Sequence, residues 1–287
     1  MKKIGFIGTG VMGSSIIKHL LAENYEVFVY NRTKKKADTV VSMGATWCDS
    51  PKEVTNQSDL IFTMVGYPQD VEAIYFEKEG IFEGNVRDKI LVDLTTSTPS
   101  LAEKLYNHAK KLGANSLDAP VSGGDLGAQK GTLTIMVGGD QEIYNQVVPL
   151  FNAFGSKVNL QGAAGCGQHT KMANQIMIAG TMTGMTELLV YAEAAGLDLE
   201  TVLDTVGGGS AANWSLTNYA PRILKEDYTA GFFVKHFVKD LKIALDEADK
   251  MNLTLPATEK ACELYESLES KGFGNDGTQA LIKLWWD

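Results

Sequence analysis

The run Ile4-Gly5-Phe6-Ile7 leads directly into Gly8-Thr9-Gly10-Val11-Met12-Gly13, and a helical stretch follows from Val11 to Leu21. Strand, glycine turn and helix in immediate succession leave few folds open and point to a parallel α/β sheet. In such a turn Gly8 permits the tight bend, Gly10 lets the backbone approach a pyrophosphate, and Gly13 lets the helix pack close to the strand. The amides at the start of the helix then face the phosphates, where the peptide dipoles favour negative charge. Gly8, Gly10, Val11, Met12 and Gly13 are therefore the first expected contacts of a dinucleotide. The competing reading, a plain glycine-rich turn, has less support because the strand before and the helix after are both in place.

The next apolar run, Glu26-Val27-Phe28-Val29-Tyr30, ends in Asn31-Arg32-Thr33 and then Lys34-Lys35-Lys36. A site for NAD usually carries Asp or Glu at this strand end to accept from the ribose 2′-hydroxyl. A carboxylate would repel a 2′-phosphate, whereas a guanidinium binds one through paired, charge-assisted hydrogen bonds. Asn31, Arg32 and Thr33 thus predict NADP as the cofactor, with NAD the weaker alternative. A solvated basic start to a helix is the bland alternative.

The chain has 287 residues, 44% of them hydrophobic and 21% charged, enough for two domains with ordinary cores. Its net charge of −9 argues against nonspecific binding to nucleic acid or to an anionic membrane. Gly, Thr and charged residues punctuate every apolar stretch, so no membrane span is expected. Lys2-Lys3 runs straight into a short strand rather than a secretory leader. Cys48, Cys166 and Cys262 are far apart and form neither a CxxC pattern nor a disulfide framework. The expectations are a reducing cytoplasm and no metal site.

Further strands are expected near 59–65, 89–94, 114–118 and 133–137, separated by helical segments, as in a doubly wound sheet buried on both faces. Composition changes at Gly162-Ala163-Ala164-Gly165-Cys166-Gly167, and beyond it the strand signals fade. Residues 168–195 predict one long helix, ~40 Å in length and apolar nearly all round, to be buried by other helices or by a second subunit. The expected fold is an α/β Rossmann-like N-terminal domain, residues 1–163, followed by an all-α C-terminal domain, residues 164–287, joined by that helix.

The chemistry-bearing candidates lie in three places. Asp118-Ala119-Pro120-Val121-Ser122-Gly123-Gly124 follows a strand, and its glycine amides and the Ser122 hydroxyl suit a carboxylate; a structural loop is the equal alternative. Lys171, Asn174 and Gln175 share a helix face among apolar neighbours, which suggests a polar cavity rather than a solvated stripe. Lys239, Asp240 and Asp246 form a further polar set that a surface helix explains equally well. Phe232 lies ahead of it, as core packing or as a pocket wall. Cys166 and His169, three apart, supply only two candidate ligands.

The four blocks GTGVMG, DAPVSGG at 118–124, GCGQHTKMANQ at 165–175 and KDLKIALD at 239–246 recur in order over nearly the whole chain. Together they resemble the signatures of the β-hydroxyacid dehydrogenases, a family that includes 3-hydroxyisobutyrate dehydrogenase and tartronate semialdehyde reductase. The resemblance implies a site between two domains, with Lys171 as acid/base. It implies substrate contacts from Ser122, Gly123, Gly124 and either Asn174 or Gln175. It implies cofactor contacts from Val65, Gly66, Thr95 and Lys239, with Asp240 in support. Many relatives have Leu-Pro where Val65-Gly66 stands, so contact there is through backbone.

The activity so implied is hydride transfer between NADP and a small β-hydroxy acid or its semialdehyde, in a homodimer or homotetramer. With no metal cluster expected, a side chain must move the proton, and lysine can donate to an aldehyde or accept from an alcohol. The alternatives are a 6-phosphogluconate dehydrogenase-like decarboxylating enzyme and a dinucleotide-binding protein without catalysis. The first needs a phosphate pocket, for which the helical half offers no added basic cluster. The second has no need of Lys171.

Overall fold

A computed structural model describes residues 2–286. The chain forms two compact units, Met1–Lys171 and Met172–Asp287.

Unit 1 is built on nine strands: β1 (Lys3–Ile7), β2 (Glu26–Tyr30), β3 (Thr46–Trp47), β4 (Leu60–Thr63), β5 (Ile90–Asp93), β6 (Asn115–Asp118), β7 (Val121–Ser122), β8 (Leu133–Gly138) and β9 (Gly155–Gly162). Its helices are α1 (Val11–Ala22), α2 (Asp38–Ser42), α3 (Pro51–Gln57), α4 (Pro68–Phe76), α5 (Pro99–Lys111), α6 (Gly124–Lys130) and α7 (Gln141–Phe151). The order β3-β2-β1-β4-β5-β6-β8-β7 starts with six parallel strands in the dinucleotide-binding arrangement. β8 runs antiparallel to β6, and β9 pairs with β8 in parallel.

Alternation along the central strands sorts side chains to opposite faces. Phe6, Phe62 and Val92 join one buried cluster, while Ile7, Ile61 and Leu91 join another. Register also matters for the site. Ile7 pairs with Tyr30 and Thr63, Thr63 with Asp93, and Asp93 with Asp118, so five strands end level. The loops that follow leave the same carboxyl edge of the sheet, where ligands of such folds bind.

The expected strands of the first half are all found. Missing from the sequence reading are the two-residue strands β3 and β7 and the edge strand β9. β9 reads Gly-Ser-Lys-Val-Asn-Leu-Gln-Gly and is largely exposed, so it lacks the apolar run that marks a buried strand. The long helix, α8 (Cys166–Ala194), has 29 residues and starts two residues earlier than expected. Its first six residues count with unit 1 and the rest with unit 2.

Unit 2 contains the remainder of α8 with α9 (Leu199–Gly207), α10 (Trp214–Asn218), α11 (Ala220–Ile223), α12 (Val234–Lys250) and α13 (Pro256–Leu268). Pro256 opens α13, where a missing N–H costs nothing. Ala179, Met182, Met185 and Leu189 of α8 pack with Phe237, Leu241 and Tyr265 in one core. Among the described residues nothing covers the other side of α8. Ala173, Met177, Gly180, Gly184, Glu187, Tyr191 and Ala194 are exposed and alternate at intervals of four and three. Among the described residues no helix is long and apolar enough to cross a membrane.

Candidate active site

Two of the glycines in the first turn are fixed by close backbone approach. Gly8 has φ +106° and a Cβ there would collide with the Met64 carbonyl; one on Gly13 would collide with the carbonyl of Gly8. Gly10 differs, because a Cβ there would enter open space. Val11 beside it is 59% exposed. Open ground over Gly10, at the first turn of α1, fits a dinucleotide pyrophosphate.

Asn31 has a role that the sequence reading missed. Its Oδ1 accepts from the Thr9 amide at 3.0 Å and its Nδ2 donates to the Thr33 carbonyl at 2.9 Å. The carboxamide thereby ties the end of β2 to the glycine turn. The Arg32 side chain is 86% exposed and pairs with Asp70 at 3.0 Å. Lys34 lies over the Trp47 ring, 4.9 Å from its centroid.

The loops after β4 and β5 are cross-linked. Thr95 Oγ1 accepts from the Val65 amide at 3.0 Å, so the Val65 N–H is occupied within the protein. Asp93 Oδ1 accepts from Thr63 Oγ1 at 2.8 Å and from the Thr95 amide at 3.1 Å. Burial pushes the Asp93 carboxyl up to about 6, against these hydrogen bonds and helped by the neighbouring Asp118 charge. A carboxyl raised on folding lends stability that is full below its ordinary value and is lost as pH rises through about 6. Asp93→Asn keeps one acceptor oxygen without the charge. It is expected to exceed the wild type in stability at pH 7.5, by up to ~3 kcal/mol, with the gap closing toward pH 4.5. Urea denaturation across that range checks this, and a gap independent of pH would refute it.

Ser122, Gly123 and Gly124 form a turn between β7 and α6. Gly123 has φ +130° and is exposed, and Ser122 is half-buried. Asp118, which opens this block, turns inward. It is 3% exposed, and accepts from the Gly165 amide at 2.8 Å and the Gln168 amide at 2.9 Å. Burial raises its carboxyl above the ordinary range, while those amides pull it back. Lys171 follows one turn later on α8 and is 6% exposed.

In unit 2 a buried polar chain joins two helices. Asn174 Nδ2 donates to Gln175 Oε1 at 2.8 Å, and Gln175 Nε2 donates to Asp240 Oδ2 at 2.7 Å. Lys239 Nζ lies 3.0 Å from Asp240 Oδ1. Gln175 is fully buried with both ends of its amide engaged, whereas Asn174 is half-buried. Phe232 packs against that unit's core, edge to face with Phe237 at 5.7 Å. Cys166 is half-buried and His169 exposed, and among the described residues no group of three or more His, Cys, Asp or Glu is placed to hold a metal.

Comparison with known proteins covers both halves. Residues 3–162 match the family described as the NAD binding domain of 6-phosphogluconate dehydrogenase. Residues 165–285 match that described as NAD-binding of NADP-dependent 3-hydroxyisobutyrate dehydrogenase. A probable 3-hydroxyisobutyrate dehydrogenase-like 1, mitochondrial, of Arabidopsis thaliana is 50% identical, over 98% of this chain and 84% of that protein. The 2-hydroxy-3-oxopropionate reductase of Escherichia coli (strain K12) is 35% identical, over 98% of this chain and 96% of that one. Among solved structures, the 3-hydroxyisobutyrate dehydrogenase of Mycobacterium tuberculosis with L-serine superimposes with a TM-score of 0.92 at 26% identity, covering both chains in full.

Proposed function

The chain belongs to the β-hydroxyacid dehydrogenase family, a group of NAD(P)-dependent oxidoreductases, and from that premise we propose that it interconverts a small β-hydroxy acid and its semialdehyde with NADP, using Lys171 as acid/base. The observation that carries the reading is Lys171 itself. It is buried one turn into a helix whose start is bonded to the carboxyl edge of the sheet, and an ionisable side chain buried at the ligand-binding edge of such a fold is a candidate for chemistry.

Gly8, Gly10, Val11, Met12 and Gly13 hold the pyrophosphate, and Asn31, Arg32 and Thr33 the ribose end. Arg32 is exposed enough to take a 2′-phosphate, and β2 is followed by Asn31 rather than by a carboxylate, with Asp70 at 3.0 Å the competitor for the guanidinium. Val65 and Gly66 line the cofactor through backbone, with Thr95 beside them holding the Val65 N–H through its hydroxyl, and Lys239, held by Asp240, adds a cation. The bound dinucleotide supplies or accepts the hydride. Ser122 with the amides of Gly123 and Gly124 grips the substrate carboxylate. Asn174 orients the substrate, and Gln175, spent on Asn174 and Asp240, supports it from behind. Lys171 donates a proton to the carbonyl oxygen in reduction and takes it back in oxidation. Phe232 serves as supporting wall. The functional division of the chain falls at 163/164, and the cytoplasm is its setting.

The exposed four-and-three stripe on α8 supports a homo-oligomer, because small and apolar residues at that spacing, Glu187 apart, suit packing against a second helix.

Purified protein mixed with NADPH and a panel of tartronate, methylmalonate and succinic semialdehydes and glyoxylate tests the activity through loss of nicotinamide absorbance. At least one is expected to be reduced faster with NADPH than with NADH. NADPH binding without oxidation across the panel would make the chain a binding protein instead.

A further inference from the structure

The turn of α8 that leads into Lys171 is tied to a different loop by one side chain. Gln168 is fully buried. Its Nε2 donates to the Thr95 carbonyl at 2.8 Å, and its Oε1 accepts from the Ser97 amide at 3.0 Å. One carboxamide therefore closes on two backbone groups of the 95–97 loop, satisfying both in a region away from water. The Gln168 amide is bonded in turn to the Asp118 carboxylate, which also holds Gly165. An anion at the first turn of a helix is favourable in itself, so Asp118 anchors the turn while Gln168 sets its distance from the loop. Glycines at 138 and 167 make room, since a Cβ on either would press on the Asp118 carboxylate.

We propose that Gln168 is a positioning residue, which fixes the Lys171 turn of α8 against the 95–97 backbone so that the ammonium meets the reacting oxygen at a set depth. The inference rests on the acid/base reading of Lys171 given above. Proton transfer depends steeply on placement, and an error of ~1 Å can cost ~10²-fold in rate without loss of binding.

The test compares Gln168→Leu, Gln168→Glu and Lys171→Ala in the full chain, with NADPH and tartronate semialdehyde, or whichever panel aldehyde gives the higher kcat/KM. Gln168→Leu removes both bonds at similar volume. Its kcat is expected to fall ~30-fold while both KM values stay within ~3-fold. The solvent deuterium isotope effect on kcat should grow as proton transfer becomes limiting. In the protein without cofactor, amide exchange should accelerate in 165–171 and 95–97 and stay unchanged elsewhere. Gln168→Glu keeps the oxygen facing Ser97 and replaces the donor to Thr95 with a second acceptor that opposes that carbonyl. Its kcat is expected to fall ~10-fold, and it decides the matter where the Leu variant does not fold. A folded variant with kcat within twofold of wild type overturns the proposal, as does a joint loss of kcat and KM with an unchanged isotope effect. If Lys171→Ala is inactive while both Gln168 variants behave as wild type, the proposal alone falls. If Lys171→Ala still turns over, the acid/base reading falls and takes the proposal with it.

Discussion

Lys171→Ala is expected to lower kcat by ~10³-fold, within the ordinary worth of a positioned acid/base, while the dissociation constant for NADPH stays within ~3-fold of wild type. The two readouts separate because none of the residues assigned to the dinucleotide lies on α8, and most of them fall in the glycine turn and at the end of β2. Alanine is a good helix former, so α8 should persist. The start of that helix is held by Asp118 and Gln168 whatever stands at 171. Lys171→Arg sharpens the result. Arginine keeps the positive charge but releases no proton in the working range, so it should bind substrate and still fail to turn over. Stopped-flow binding of NADPH beside steady-state kinetics checks both variants. A kcat near wild type in the alanine variant would refute the assignment.

Arg32→Glu is expected to shift the ratio of kcat/KM for NADPH over NADH by ~10²- to 10³-fold toward NADH. The loss has two parts: the hydrogen bonds of a guanidinium to a phosphate, each worth ~1.5–3 kcal/mol in a charge-assisted pair, and repulsion from the new carboxylate. Arg32→Gln isolates the first part and should shift the ratio less. Exposure of the guanidinium means that salt screens some of the effect, so the shift should shrink as ionic strength rises. The pair with Asp70 adds a competitor for the same guanidinium. A preference unchanged in both variants would place the 2′-phosphate elsewhere.

Much of the fold was legible because it depends on local patterns. The short runs ending at Ile7, Tyr30, Thr63, Asp93 and Asp118 are strands, and the turn at 8–13 announces its own geometry. The long helix emerged within two residues because nothing in 168–194 breaks it. β9 escaped because it is a polar edge strand whose apolar alternation is confined to Val158 and Leu160. The candidate residues Lys171 and Asn174 stood out by spacing, but the side chains that hold them did not. Asp118 reaches Gly165 across 47 positions and Gln168 reaches Thr95 across 73, and no window of sequence joins such partners. Gln175 looked equivalent to Asn174 on the helix face, and only the bond to Asp240, 65 residues away, separates them. A signal for the buried acids was nevertheless present. Two neighbouring strands, Ile-Leu-Val-Asp and Asn-Ser-Leu-Asp, both end in aspartate, and a buried carboxyl so placed must be either hydrogen-bonded or neutral.

Asn31 has a bearing on how this protein could be re-engineered. Aspartate is the obvious replacement for a designer seeking the unphosphorylated coenzyme, yet it lacks the N–H pair that clasps Thr33, while its second oxygen would meet that carbonyl instead. On the proposed reading, discrimination between coenzymes and rigidity of the amino-terminal loop meet at a single amide, and a one-letter swap would trade one against the other. Retooling would have to recruit a new donor for Thr33 in the same step.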